Sequence, residues 1–441
     1  MTDLATRAAP ARGSLPRRAA PALLGYAAVR ALGLLVLAVW SAARGKSALT
    51  LLSARWDSLW YTRVAELGYG YEVRLPNGDV HSNLAFFPLL PWLERLLHGI
   101  TPLSYAHAGV LVALLASLAA AGGIFAVAEW VYGPRVGVCA VLLWAVLPVG
   151  IVQSMAYSES LFTALAAWSL YAVLTGRWVG AGVLAALAGL TRPVGLAVVA
   201  AVWAAGVLTF LRERGERGAR GAHDGDRAPG PAAEVCAERV ARADGAQEPP
   251  HAPFTPEGSH DAAHASSRTL RAPCAPAWHR VLGLLLAPLG AAGYVLWVGH
   301  RTGRGPLGYL DVQAGWRNGF DGGYAFAGFV AGKFTSFPSA LAGAGLIIGV
   351  ALLIMLYVTG VRQGQPLPLL VYTGVVLALA LCASSYFGSK PRLLMPAFPL
   401  LFPLARALAR PRASRSALVT AGLAVATAVY GAFWLNGSGP P

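Results

Sequence analysis

The chain has 441 residues, of which 56% are hydrophobic and only 12% charged, with a formal net charge of +15. A soluble domain is about a quarter charged, so a string of soluble domains is excluded and the apolar stretches belong in a membrane. The basic residues fall between apolar runs, which reflects membrane orientation and gives no support to a nucleic-acid partner.

All basic residues except Lys46, Lys333 and Lys390 are arginine, and Ala and Gly abound, a bias of GC-rich bacterial genomes. Cys139, Cys236, Cys274 and Cys382 show no paired spacing, so neither a disulfide framework nor a zinc site is expected.

Apolar runs predict an all-α polytopic membrane protein with about eleven transmembrane helices. They lie near 22–42, 106–129, 136–152, 158–175, 179–192, 194–211, 281–299, 339–359, 367–385, 393–409 and 415–434. Residues 1–21 form a basic tail, and Ser41-Ala42-Ala43 resembles a signal cleavage site. The long tail and the apolar stretch reaching back to Ala22 favour a retained span. A cytoplasmic N-terminus, set by Arg7, Arg12, Arg17 and Arg18, leaves about 22 basic residues inside and about 13 outside. The expected location is the plasma membrane, with residues 43–105 as a long first extracytoplasmic loop.

That loop opens with Arg55-Trp56-Asp57-Ser58-Leu59-Trp60-Tyr61. Helical spacing to Leu67 places Trp56 and Trp60 on one face, Asp57 and Tyr61 on the next, and Gly68 as the stop. Such a helix suits the headgroup region, as a plain anchor with a solvated Asp57 or as part of a site. Asn83-Leu84-Ala85-Phe86-Phe87-Pro88-Leu89-Leu90-Pro91-Trp92 follows, and its prolines predict a bent or re-entrant segment.

Further polar residues fall at outer helix ends: Tyr157-Ser158-Glu159-Ser160, Thr191-Arg192-Pro193 and Lys390-Pro391-Arg392. Ionisable groups at membrane depth are costly and are therefore candidates for function. Helix capping by Glu159 is the plainer alternative. Residues 22–211 and 281–436 form two membrane halves, joined by a polar segment, 212–280, expected to be a disordered cytoplasmic linker. Its Cys236, His251, His260, His264, Cys274 and His279 are too irregularly spaced for a zinc site. Gly303-Arg304-Gly305-Pro306-Leu307-Gly308 matches a dinucleotide fingerprint in letters only, lacking a strand before it. Trp316 and Arg317, beyond it in the same outer loop, suit a sugar or a phosphate as well as a lipid headgroup.

Taken together, the tryptophan–aspartate block 55–61, Gly68-Tyr69, Asn83 to Pro91, Tyr157 to Phe162, Thr191-Arg192-Pro193 and Arg392-Leu393-Leu394-Met395-Pro396 resemble the PIG-V (GPI mannosyltransferase 2) family and its bacterial relatives. The resemblance implies a GT-C glycosyltransferase fold, an acidic residue of the first outer loop at the catalytic centre, and a polyprenyl- or dolichyl-phosphate-mannose donor. The acceptor does not carry over, because a GC-rich bacterium is not expected to make GPI anchors; it is a glycan, glycolipid or protein.

Such chemistry needs a carboxylate to take the acceptor's proton and cations to stabilise the departing lipid phosphate. Asp57 is the candidate base, and Arg192, Lys390 and Arg392 the candidate phosphate ligands. Trp56, Trp60, Tyr61, Asn83, Tyr157, Glu159, Trp316 and Arg317 are candidates for binding or orienting substrate. No cofactor or metal is required, although Asp57, Glu66 and Asp79 could share a divalent ion. A lipid or sugar transporter and a non-catalytic membrane subunit are the alternatives; a partner subunit stays open.

Overall fold

A computed structural model describes residues 14–224, 277–384 and 386–437. The first apolar run forms α1 (Leu15–Ala43), 29 residues that can cross a hydrocarbon layer of about 30 Å. Two short helices follow, α2 (Ala48–Ser53) and α3 (Asp57–Leu67), the latter stopped at Gly68 by a backbone φ of 80°. A two-stranded antiparallel hairpin comes next, β1 (Glu72–Arg74) and β2 (Val80–Ser82), with Val73 opposite His81. Alternation over three residues is too brief to read as strand, so this element departs from the all-helical expectation.

The rest of the first half comprises α4 (Leu89–Ile100), α5 (Tyr105–Tyr132), α6 (Pro134–Ala145), α7 (Ser158–Leu174), α8 (Trp178–Gly189) and α9 (Leu196–Asp224). Past the undescribed stretch come α10 (Ala277–Leu286), α11 (Leu289–Thr302), α12 (Gly308–Gly315), α13 (Tyr324–Gly332), α14 (Phe337–Arg362), α15 (Leu367–Cys382), α16 (Lys390–Leu393), α17 (Phe402–Leu408) and α18 (Ala413–Leu435). Among the described residues, six helical stretches are long and apolar enough to span a membrane, and five apolar helices are shorter. The chain is a multi-pass membrane protein, but eleven complete crossings do not follow. The run near 393–409, for example, is not one helix: Pro391, Pro396, Pro399 and Pro403 divide it into α16, a 3₁₀ turn at Phe398–Leu401, and α17.

Two compact units divide the chain, one of residues 1–205 and 272–441, the other of residues 206–271. In the second unit, helix α9 runs on to Asp224, so the polar segment assigned to a linker from 212 starts as helix. Its remainder, with Cys236, His251, His260, His264 and Cys274, lies outside the described residues, as do Arg7 and Arg12 of the basic tail.

Small residues set the packing of the first unit. Gly182 of α8 lies against the backbone of Gly283, and Gly290 against the carbonyl of Ala186, so α8 crosses α10 and α11 at backbone contact. Where α6 stops before Pro148, Arg30 of α1 donates to its freed Ala145 O and to Gly150 O in the turn beyond. A buried arginine thereby restores bonds that a helix end in hydrocarbon would otherwise lack. Helix ends far apart in sequence, carrying Asp57, Glu159, Arg192 and Arg392, are joined by ion pairs.

Candidate active site

Between α2 and α3 the chain turns through Trp56, whose backbone has φ 50° and ψ −117°. A left-handed conformation at a bulky residue costs about 1–3 kcal/mol and persists only where neighbours enforce it. Here Ser58 Oγ accepts from Arg55 N at 2.9 Å, closing the turn locally. The result sets Asp57 as the first residue of α3, where the positive end of the helix favours its carboxylate.

Opposite Asp57 stands Arg392 of α16, with Nη2 2.7 Å from Asp57 Oδ2. The same guanidinium reaches Glu159 of α7, with Nε 3.7 Å from Oε1, and Glu159 is ion-paired in turn with Arg192. Two carboxylates and two guanidiniums thus form one chain, Asp57–Arg392–Glu159–Arg192. Buried charges are tolerable in this balanced form. Tyr157 lies under Arg392, ring centroid to guanidinium 5.0 Å, and Tyr61 shares a 2.7 Å hydrogen bond with Ser158.

The members differ in access. Asp57 keeps 28% of its side chain exposed, Arg392 11% and Glu159 1%. Asp57 can meet a substrate; Glu159 can act only through the arginines it holds. Burial alone would lower the Arg392 pKa, but Asp57 and then Glu159 outweigh it and raise the value, so the cation is fixed. Arg192 is likewise raised, with Glu159 outweighing burial. Burial, reinforced by the Asp57 charge, lifts the Tyr157 phenol well above its ordinary range and keeps it protonated. Arg392 Nε and Nη1 are buried and, among the described residues, hydrogen-bond to no acceptor.

Other predicted residues are placed differently. Trp56 precedes α3 and packs toward Trp434 of α18, centroids 6.1 Å apart. Trp60 instead stacks on Phe86 and meets Trp316 edge-on at 4.8 Å. The two tryptophans therefore do not share a face, because the turn at Trp56 lies outside the helical period. The Asn83 side chain is fully buried and spent on backbone, accepting from Gly70 N at 3.1 Å and donating to Gly68 O at 3.0 Å. It shapes the loop instead of facing a ligand. Trp316 donates to Ser82 O at 3.0 Å and stacks on His81, while Arg317 pairs with Asp79 at 2.6 Å. Both residues tie the hairpin to the loop after α12.

Lys390 does not join the cluster. Its ammonium donates to Ala380 O at 2.7 Å and Ala383 O at 2.8 Å, at the end of α15, between the rings of Phe326 and Phe387. It neutralises the carbonyl end of a helix, the role that dipole and unpaired carbonyls favour for a cation. Nor do Asp57, Glu66 and Asp79 converge: Asp57 faces Arg392 and Asp79 faces Arg317. Among the described residues no group of three His, Cys, Asp or Glu side chains is arranged to hold a metal ion. Glu94, a buried carboxyl in α4, and Arg55, the first residue of the tryptophan–aspartate block, are not among the residues the sequence marks as candidates.

Residues 39–212 match the family described as Mannosyltransferase (PIG-V). The chain is similar to GPI alpha-1,6-mannosyltransferase 2 of Rattus norvegicus, 33% identical over 159 residues, which are 33% of this chain and 30% of that protein. The Mus musculus protein of the same name is 33% identical over 156 residues, 32% of this chain and 29% of its own length. The matching stretch thus spans less than a third of these relatives. Among solved structures, ArnT from Cupriavidus metallidurans bound to undecaprenyl phosphate has a TM-score of 0.48 at 15% identity, covering 91% of this chain and 63% of that one. The Archaeoglobus fulgidus oligosaccharyltransferase in complex with Zn and sulfate has a TM-score of 0.41 at 14% identity, covering 93% and 53%. The family-matched segment contains Asp57, Tyr157, Glu159 and Arg192; Arg392 lies beyond it and reaches the site through the fold.

Proposed function

We propose that the protein is a GT-C type membrane glycosyltransferase that moves a mannosyl residue from a polyprenyl-phosphate donor to an acceptor hydroxyl. The reaction takes place at the extracytoplasmic face of the plasma membrane, with inversion at the anomeric carbon. The observation that carries this reading is the pairing of a partly exposed carboxylate, Asp57, with a buried arginine that has donors to spare. The PIG-V match over the segment holding Asp57 and Glu159 supports the choice of sugar.

Asp57 takes the proton of the acceptor hydroxyl as its oxygen attacks the anomeric carbon, within about 3 Å in the productive complex. The bond from that carbon to the phosphate oxygen breaks, and the electron pair leaves with the lipid phosphate. Arg392 supplies the positive charge, and its Nη1, which has no acceptor among the described residues, is the donor a phosphate oxygen needs. Glu159, itself paired with Arg192, holds Arg392 from behind, and the Tyr157 phenol offers a neutral donor at the same place. The donor is its own activated leaving group, so the step calls for no resident cofactor.

The test is transfer in membranes supplied with labelled polyprenyl-phosphate-mannose, comparing wild type with Asp57→Asn at equal expression. Loss of transfer by about 10²–10⁴-fold in the variant supports donor, reaction and base together. Undiminished transfer in Asp57→Asn removes Asp57 as the base. Transfer absent from the wild type counts against the donor and returns weight to a transporter or a non-catalytic subunit.

A further inference from the structure

We infer that Arg55 is a positioning residue for the transfer reaction, locking the Trp56–Asp57 turn onto the end of the last helix; the inference rests on Asp57 being the base. The Arg55 guanidinium lies over the indole of Trp56, 4.0 Å from its centroid. Its two terminal nitrogens donate to the carbonyls of Leu435 and Gly437, the latter at 3.0 Å. The carbonyl between them, Asn436 O, accepts from Lys46 at 2.9 Å, and the Asn436 amide donates to Ser41 Oγ at 3.1 Å.

Three successive carbonyls at the end of α18 are thus taken by two cations. A helix end leaves such carbonyls unpaired and carries partial negative charge, so it anchors guanidinium firmly. The anchored guanidinium lies over the Trp56 ring, which also packs toward Trp434 of the same helix end. Trp56 is the residue with the left-handed backbone, and that backbone delivers Asp57 to Arg392. The sequence of contacts runs from α18 through Arg55 and Trp56 to the catalytic carboxylate. A planar fork bonds two carbonyls along its edge while its flat face lies on the indole; an ammonium, as at Lys390, can bond two carbonyls but has no flat face to stack.

The experiment compares Arg55→Ala and Arg55→Lys with wild type in full-length protein. Misplacing a reacting group by about 1 Å costs roughly 100-fold in rate, so kcat should fall by about that factor in both variants. Donor KM should change by less than about threefold, because binding and transition-state stabilisation separate in this way. A second reading does not depend on activity. In a background with the native cysteines replaced by serine, Asp57→Cys is labelled with a small water-soluble thiol reagent, with and without Arg55→Ala. Release of the turn should raise the labelling rate by about tenfold, the scale of a local opening equilibrium shifted by one lost anchor. Full activity in Arg55→Lys, a fall in kcat matched by an equal fall in folded protein, or unchanged labelling of the Asp57→Cys thiol would each overturn the inference. Should the wild type transfer no mannose at all, the donor assignment fails separately, and the labelling arm still decides whether Arg55 holds residue 57.

Discussion

Arg392 Nη2 lies 2.7 Å from Asp57 Oδ2, joining α16 to the opening residue of α3. Neither residue is held by its own local structure alone. Asp57 follows a strained turn, and α16 is a single turn with Pro391 inside it and Pro396 beyond its end. The ion pair and the buried Glu159 behind it fix both, which makes the site a product of the tertiary fold.

Because one guanidinium serves Asp57 and Glu159 at once, Arg392→Lys should not conserve function. An ammonium cannot approach both carboxylates and still offer planar donors to phosphate. Transfer should fall by about 10²–10³-fold, the usual loss on removing one charge-stabilising donor. Asp57→Asn combined with Arg392→Gln should be little worse than the poorer single variant, since groups acting as a unit are not additive. Initial rates in membranes measure this, and additive losses would show that the two act separately.

Glu159 carries a different expectation. Its side chain is 1% exposed and balances two arginines, so Glu159→Gln leaves buried positive charge without a counter-ion. Breaking such a pair from one side costs about 3–5 kcal/mol. Thermal unfolding in detergent should therefore show a large drop for Glu159→Gln and a small one for the partly exposed Asp57→Asn. Equal melting of the two would contradict the division of labour between structure and chemistry.

The candidate site is legible where chemistry is written in short motifs and illegible where it depends on direction. Asp57, Glu159, Arg192 and Arg392 stand at helix ends that orientation alone assigns to one face, and all four meet. Trp56 is misplaced by helical spacing extended one residue too far, across a turn whose φ the letters do not reveal. Asn83 and Lys390 look like ligand groups, yet both satisfy backbone polar atoms within the protein. Composition marks a polar group as costly at membrane depth, but not which acceptor relieves it. The apolar runs locate the helices well, whereas prolines and short lengths keep them from translating into a count of crossings.

The reassignment of Lys390 is itself testable. With its ammonium bound to Ala380 O and Ala383 O, Lys390→Met should loosen the end of α15 and lower stability. Loss of a hydrogen-bonded buried cation and exposure of its acceptors costs on the order of 1–3 kcal/mol. The KM for donor should stay within about threefold of wild type, since no binding contact is removed. A rise in donor KM of tenfold or more, with melting unchanged, would restore Lys390 as a phosphate ligand.

Glu94 gives the protein a pH dependence of its own. Its carboxyl is fully buried in α4, beside Gly109 of α5; both oxygens are without hydrogen bonds among the described residues. Burial raises its pKa well above the ordinary carboxylate value. The folded state therefore keeps this proton to higher pH than the unfolded chain, whose glutamate titrates near about 4.3. Stability from the neutral form is complete below that pH and is lost as pH climbs through the folded value. Glu94→Gln keeps the shape without a titrating proton. It should melt with wild type near pH 4 and above it at neutral and alkaline pH, by a margin that widens until the folded carboxyl has ionised. A melting difference that stays flat across this range would mean that Glu94 finds a partner for its charge in the folded protein.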